Sequence, residues 1–162
     1  MSTYHTQNRP VAESTFRAAG REVGPALLFY GCHSPDTDLL YDTEMEEWQK
    51  QGVVKVKHAF SRAPDQSEGC KYVQYVTLLR PVDKNCADRF CFRDRVWHDR
   101  AEVEELFRAD AKVYVCGSSG MAKSLQQTAV KILAAAKNVS EEEAEEVYQR
   151  LKSLRFSLDI FG

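Results

Sequence analysis

Lys112-Val113-Tyr114-Val115-Cys116-Gly117-Ser118-Ser119-Gly120-Met121-Ala122 decides the fold class. Its first half is a short β-branched and aromatic run, which favours a strand. Gly117 stops that run, and Ser118 or Ser119 can cap a helix. Apolar residues then fall at Met121, Leu125, Ala129, Ile132, Leu133 and Ala136, a period of about 3.6 residues. A strand that passes through a Gly-rich turn into a helix is the building unit of a parallel α/β sheet.

The same alternation continues in both directions. Upstream, Asp99 with Glu102 reads as a capping box ahead of a helical stripe of Val103, Leu106 and Phe107. Downstream, Ser140 with Glu143 reads as another, leading into Ala144, Val147, Tyr148 and Leu151. Phe156, Leu158 and Ile160 alternate and predict a last strand. Ala26 to Tyr30, bounded by Pro25 and Gly31, predicts a strand buried on both faces. Asp38 can cap a helix that carries Tyr41, Met45 and Trp48 and ends near Gly52. Val54, Val56 and Phe60 predict a strand over 53–61, then a turn-rich loop over 62–71. Residues 1–24 read as a polar, poorly ordered leader. The expectation is an α/β domain over 25–162, a parallel sheet with helices on both faces. Residues 75–92 fit neither strand nor helix and read as an irregular insertion.

A chain of 162 residues predicts one domain, and 43% hydrophobic with 28% charged residues is a globular balance. A formal charge of −2 argues against a nucleic-acid binder, so any phosphate must be held by a local basic cluster. No apolar run approaches the roughly 18 residues of a membrane span. Met1 to Pro10 is polar and has no secretory apolar core. The five cysteines, Cys32, Cys70, Cys86, Cys91 and Cys116, are odd in number and predict reduced thiols in the cytoplasm. They lack the paired spacing of a metal site, so no metal is expected. No Cys-x-x-Cys is present, which ranks a thiol-redox role last.

Parallel α/β sheets bind ligands beyond the carboxyl ends of their strands. The residues there are Gly31-Cys32-His33, Ser61-Arg62 and Cys116-Gly117-Ser118. Ser61 and Arg62, with Lys71 and Tyr72 across the loop, offer a hydroxyl, a guanidinium, an ammonium and a phenol to one dianionic phosphate. An acidic residue at this strand end would favour NAD, whereas Ser61-Arg62 favours the 2′-phosphate of NADP. The same residues also suit a solvated basic loop. Gly117 would let a nicotinamide approach the backbone, and the adjoining helix N-terminus favours anions. Cys116 reads equally as core packing. Phe161, one residue from the chain end, reads as a packing anchor.

Five pieces taken in order resemble the NADPH-binding end of the diflavin reductases, the family of NADPH–cytochrome P-450 reductase. They are LLFYGCHSPDTDLLYDTEMEEW (27–48), VKHAFSR (56–62), KYVQ (71–74), VYVCGSSGMA (113–122) and FSLDIFG (156–162). The stretch GREVGPALLFYGC (20–32) is similar to fungal fusions of a haem monooxygenase with its own reductase. The resemblance covers about residues 20–162. It implies a ferredoxin-reductase-like NADP-binding domain that positions NADPH for hydride transfer to FAD, with electrons passing through FMN to a haem protein. Ser61, Arg62, Lys71, Tyr72 and Gln74 would hold the 2′-phosphate and adenine. Gly117 and Met121 would lie along the cofactor, and Cys116 near the reacting nicotinamide carbon. Asp159 would stabilise the developing positive nicotinamide. Phe161 would stack on the flavin, where many relatives carry Trp.

The chain departs from that pattern in three places. The first is at its start. No stretch resembles the flavin-binding domain, so both flavins are expected on a separate domain or chain. Residues 1–19 also hold no Gly-Thr-Gly turn, and only Phe16-Arg17 resembles the family near that point, so the first, central strand is expected to be missing. The second is YVTLLRPVDKNCADRFCF (75–92), which intervenes before Arg93-Asp94-Arg95-Val96-Trp97 as a translated intron would. The third is at the phosphate site, where Cys70 stands in the usual place of a lysine and Lys71 is the expected substitute. Beside a reductase portion, the alternative is a non-catalytic nucleotide-binding remnant.

Overall fold

The computed structural model describes residues 24–73 and 93–162. The elements in order are β1 (Leu27–Cys32), α1 (Pro35–Asp38), α2 (Asp42–Lys50) and β2 (Lys55–Phe60). A 3-10 turn (Pro64–Ser67) then leads to β3 (Cys70–Tyr72). Beyond residue 92 come β4 (Arg93–Asp94), α3 (Arg95–His98), α4 (Arg100–Arg108), β5 (Val113–Ser118), α5 (Ser119–Lys137), α6 (Glu141–Arg155) and β6 (Phe156–Phe161). The expected leader, all but Gly24, and the whole expected insertion lie outside the described residues.

Every strand pairing is parallel, as strand–helix alternation requires, because parallel neighbours need a crossover. The strands form three pairs among the described residues, β1–β2, β3–β4 and β5–β6, where one continuous sheet was expected. Among the described residues no strand joins β1 to β5. Two clusters of buried apolar residues stand out among the described residues. Met45, Val54 and Val56 form one, with Leu28, Tyr30 and Trp48 against it. Val130, Ala144 and Tyr148 form the other, with Leu133 and Phe156 against it.

Several expectations need correction. β1 runs through Gly31 to Cys32 and is only partly buried, where both faces were expected to be covered. Gly31 stays in the strand and leaves room for Val73, whose Cγ2 lies 2.9 Å from where a Cβ on that glycine would sit. Likewise β5 continues through Gly117, where it was expected to stop. Asp38 caps nothing downstream. It ends α1, and Tyr41, in a left-handed conformation, precedes α2. Asp99 precedes α4 but makes no side-chain cap bond, because two cations claim its carboxylate.

The two caps that open α5 and α6 form as read. Ser118 Oγ accepts from the Met121 amide at 3.2 Å. Ser140 Oγ accepts from Glu143 N at 3.2 Å, and Glu143 Oε2 accepts from Ser140 N at 3.1 Å. Each satisfies amide donors that the first helical turn leaves free. β6 forms over the alternating run, with Phe156 against Tyr148 at a ring separation of 5.2 Å.

Candidate functional site

The carboxyl ends of β1 and β2 stay joined beyond the strands themselves. Ser61 N donates to Cys32 O at 3.0 Å, and Arg62 N donates to His33 O at 2.8 Å. These bonds set Ser61 and Arg62 beside Cys32 and His33 at the sheet end. Ser61 is half-buried and Arg62 exposed, so hydroxyl and guanidinium are presented to solvent at a strand terminus. Nearby, the Asp38 carboxylate accepts from the amides of Ser34 and His33 at 2.9 Å each, and pairs with His33 Nδ1 at 2.7 Å. The Ser34 amide first, then that of His33, holds the Asp38 carboxyl well below the usual carboxylate range. Burial, with Asp38 second, pushes the Cys32 thiol up, so it remains a protonated donor to Ser34 O at 3.6 Å.

The loop after β2 is folded back tightly. Glu68 and Gly69 both take left-handed conformations, with φ of 56° and 79°, and Gly69 N donates to Pro64 O at 2.8 Å. A residue with a Cβ at Gly69 would be strained there. This reversal delivers Cys70 to a fully buried position and Tyr72 to the surface, with Lys71 between. The contact of Val73 with Gly31 places the end of β3 against the end of β1. The backbones of Ser61-Arg62 and of Lys71-Tyr72 thus lie at one corner, with the Ser67 hydroxyl between Phe60 N and Cys70 O. Gln74 lies outside the described residues.

Beneath that corner is a cluster of charges that sequence reasoning missed. Arg95, at 3% side-chain exposure, donates through Nε to Asp99 Oδ2 at 2.6 Å and through Nη2 to Glu68 Oε1 at 2.9 Å. Its Nη1 donates to Ser67 O at 3.3 Å and His58 O at 3.4 Å. Lys57 Nζ pairs with Asp99 Oδ1 at 2.9 Å and Glu102 Oε1 at 3.2 Å, and Lys55 Nζ reaches Glu102 at 2.8 Å. Three cations thus meet three carboxylates. Burial pushes the Asp99 carboxyl up, but the hydrogen bonds and charges of Lys57 and Arg95 outweigh it and hold the group low. From the sequence Asp99 reads as a helix cap. The four-residue spacing of Arg95 and Asp99 was the available signal, since such residues share a helix face.

The second group of expected residues meets on β5 and β6. The register sets Cys116 opposite Asp159 and Ser118 opposite Phe161. Parallel partners point to the same side, and residues two apart share a face. Val115, Phe156 and Leu158 line a cleft with Leu125 of α5 and Tyr148 of α6, so that face is covered by helices. Cys116, Asp159 and Phe161 occupy the opposite face, and all three are exposed. Cys116 is therefore not core packing, and Phe161, 61% exposed, is not an anchor. Gly117 is buried, and the Met121 sulfur lies 2.7 Å from where its Cβ would be. Met121 fills the notch that Gly117 leaves. Among the described residues no cluster of His, Cys, Asp or Glu could hold a metal, and no helix is long and apolar enough to cross a membrane.

Parallel strands alternating with helices, with a hydroxyl and a guanidinium at one strand end, are an arrangement suited to binding a nucleotide phosphate beyond the strand ends. Residues 9–127 match the model of the oxidoreductase NAD-binding domain family, and the chain belongs to that family. It is 42% identical over 146 residues to a self-sufficient cytochrome P450 monooxygenase of Phanerodontia chrysosporium, covering 90% of this chain and 12% of that protein. It is 40% identical over 149 residues to a bifunctional cytochrome P450/NADPH–P450 reductase of Fusarium oxysporum, covering 89% of this chain and 12% of that one. A similar bifunctional protein of Acremonium egyptiacum is 39% identical over 146 residues, covering 89% of this chain and 12% of its own length. The chain therefore spans about one-eighth of the length of these curated relatives.

Proposed function

We propose that this chain is the NADPH-binding portion of a flavin-dependent reductase. It positions NADPH for hydride transfer to an FAD carried on a separate domain or chain. Electrons would then pass through FMN to a haem protein, the partner suggested by the cytochrome P450 in the names of the fungal relatives. The observation that carries this reading is the corner at the ends of β1, β2 and β3. There Ser61 and Arg62 extend the ladder, and a tight loop returns the chain to Lys71 and Tyr72 in β3. A dianionic 2′-phosphate suits that donor set, and Arg62 can also lie flat on an adenine. Gln74 joins them in this reading.

At the other end, Gly117 and Met121 would border the nicotinamide. The cofactor supplies the hydride. The chain's own part is to place Cys116 beside the reacting carbon, hold the Asp159 carboxylate where positive charge develops, and offer the exposed ring of Phe161 to the flavin. We place the protein in the cytoplasm, on the strength of its odd cysteine count.

Calorimetric titration of the purified chain with 2′,5′-ADP and with 5′-ADP tests this reading, because only the first carries the 2′-phosphate. A preference of about tenfold or more for 2′,5′-ADP, about 1.4 kcal/mol, is expected. Equal affinities, or no binding by folded protein, would overturn it.

A further inference from the structure

Ser67 is 3% exposed and stands between the two halves of the proposed phosphate corner. Its hydroxyl accepts from Phe60 N at 3.0 Å, and its oxygen lies 2.7 Å from Cys70 O and 3.2 Å from Pro64 O. A hydroxyl has one proton, so the shorter contact marks Cys70 O as the acceptor. Phe60 immediately precedes Ser61-Arg62, and Cys70 immediately precedes Lys71-Tyr72. One buried hydroxyl therefore ties the residue that precedes Ser61-Arg62 to the residue that precedes Lys71-Tyr72. Arg95 holds this staple from below, donating to Ser67 O and to the Glu68 carboxylate.

We propose that Ser67, seated on Arg95, is a positioning residue for 2′-phosphate recognition: it sets the spacing between Ser61-Arg62 and Lys71-Tyr72 and so the discrimination of NADP from NAD. The proposal rests on the reading above that this corner receives the 2′-phosphate. Neither side chain touches the ligand. The phosphate takes donors from both halves at once, so a change in spacing weakens a 2′-phosphorylated ligand more than one without that group. Angular tolerance for charge-assisted bonds is narrow, and a shift of a few tenths of an ångström between the halves weakens several together.

Ser67→Ala changes no charge, which makes it the decisive variant. It removes the bridge and leaves the Phe60 amide and the Cys70 carbonyl without this partner. The purified full chain, wild type and S67A, is titrated with 2′,5′-ADP and 5′-ADP, and folding is followed by circular dichroism. The expected result is a loss of about threefold or more in the ratio of the two affinities, with 2′,5′-ADP weakened more than 5′-ADP. Arg95→Lys, which keeps the charge but not the fork, is expected to lower the same ratio. Ser67→Cys keeps the approximate size and a weak donor, and it serves in place of S67A if the alanine variant does not fold. A merely structural role would weaken both ligands equally. An unchanged ratio in folded variants would overturn the positioning role while leaving the 2′-phosphate reading standing. A wild-type chain that shows no preference would overturn that reading first, and this inference with it.

Discussion

Replacing Asp99 by Asn is the sharpest test of what holds the phosphate corner in place. The carboxylate is 8% exposed and lies between Arg95 at 3% and Lys57 at 14%, with contacts of 2.6 and 2.9 Å. Asn is nearly the same size, so packing is retained and one charge is removed. Two buried cations then face a neutral amide. Removing one member of a buried pair costs about 3–5 kcal/mol, and the lower end applies here because Glu68 still holds Arg95 and Glu102 still holds Lys57. For a domain of this size each kcal/mol moves the midpoint by roughly 2–4 °C, so D99N should melt lower by roughly 6 °C or somewhat more.

The assay is thermal unfolding followed by circular dichroism. Glu46→Ala serves as the control, since it breaks an exposed pair with Lys50 and should cost less than about 0.5 kcal/mol. If D99N loses no more than E46A, the cluster is effectively solvated and the argument fails. The pH dependence gives a second reading. The folded pKa of Asp99 is depressed, so its stabilisation is present above the unfolded value of about 3.9 and is lost as pH falls through the folded value. Wild-type stability should drop below about pH 4, and D99N should show a shallower drop.

Further predictions concern single contacts. Ser140→Ala removes a capping box and should cost about 1 kcal/mol in urea unfolding. Gly31→Ala would press on Val73 and should cost about 1–3 kcal/mol, since valine has no torsion beyond its stiff χ1 to relieve the contact. Gly117→Ala should also destabilise in the same denaturation series, because the backbone there has a φ of 159° that side-chain-bearing residues rarely adopt, even though the Met121 side chain it meets is flexible. Adding a separately made flavin domain should restore NADPH-dependent reduction of an artificial acceptor. No restoration at saturating partner would favour a non-catalytic remnant.

Much of the fold was legible because it is locally determined. Ser118 and Ser140 cap helices through amides three residues away, so the sequence window contains both partners. The alternation of Phe156, Leu158 and Ile160 likewise reports a strand that packs one face on helices. Gly31 and Gly117 suggest strand ends because glycine signals a turn in isolation. In the structure each instead makes room for a side chain, Val73 or Met121. Asp99 and Glu102 mislead for a similar reason. A capping box and an ion pair use the same residue types, and the competing cations Lys55 and Lys57 lie on a different strand.

By itself, the sequence determined the α/β alternation, the parallel sense of the strands, both capped helices and the residue types suited to a phosphate. Those arise from hydrophobic period and from bonds that span a few residues. The tertiary structure was needed to show which strands pair among the described residues, that Cys116 stands opposite Asp159, and that Asp99 answers to a lysine 42 residues away. Strand register and buried charge pairing depend on which distant segments meet, and a backbone hydrogen bond carries no sequence label. The Ser67 staple belongs to the same class, because its hydroxyl bonds main-chain atoms of two strands that any residues could have supplied.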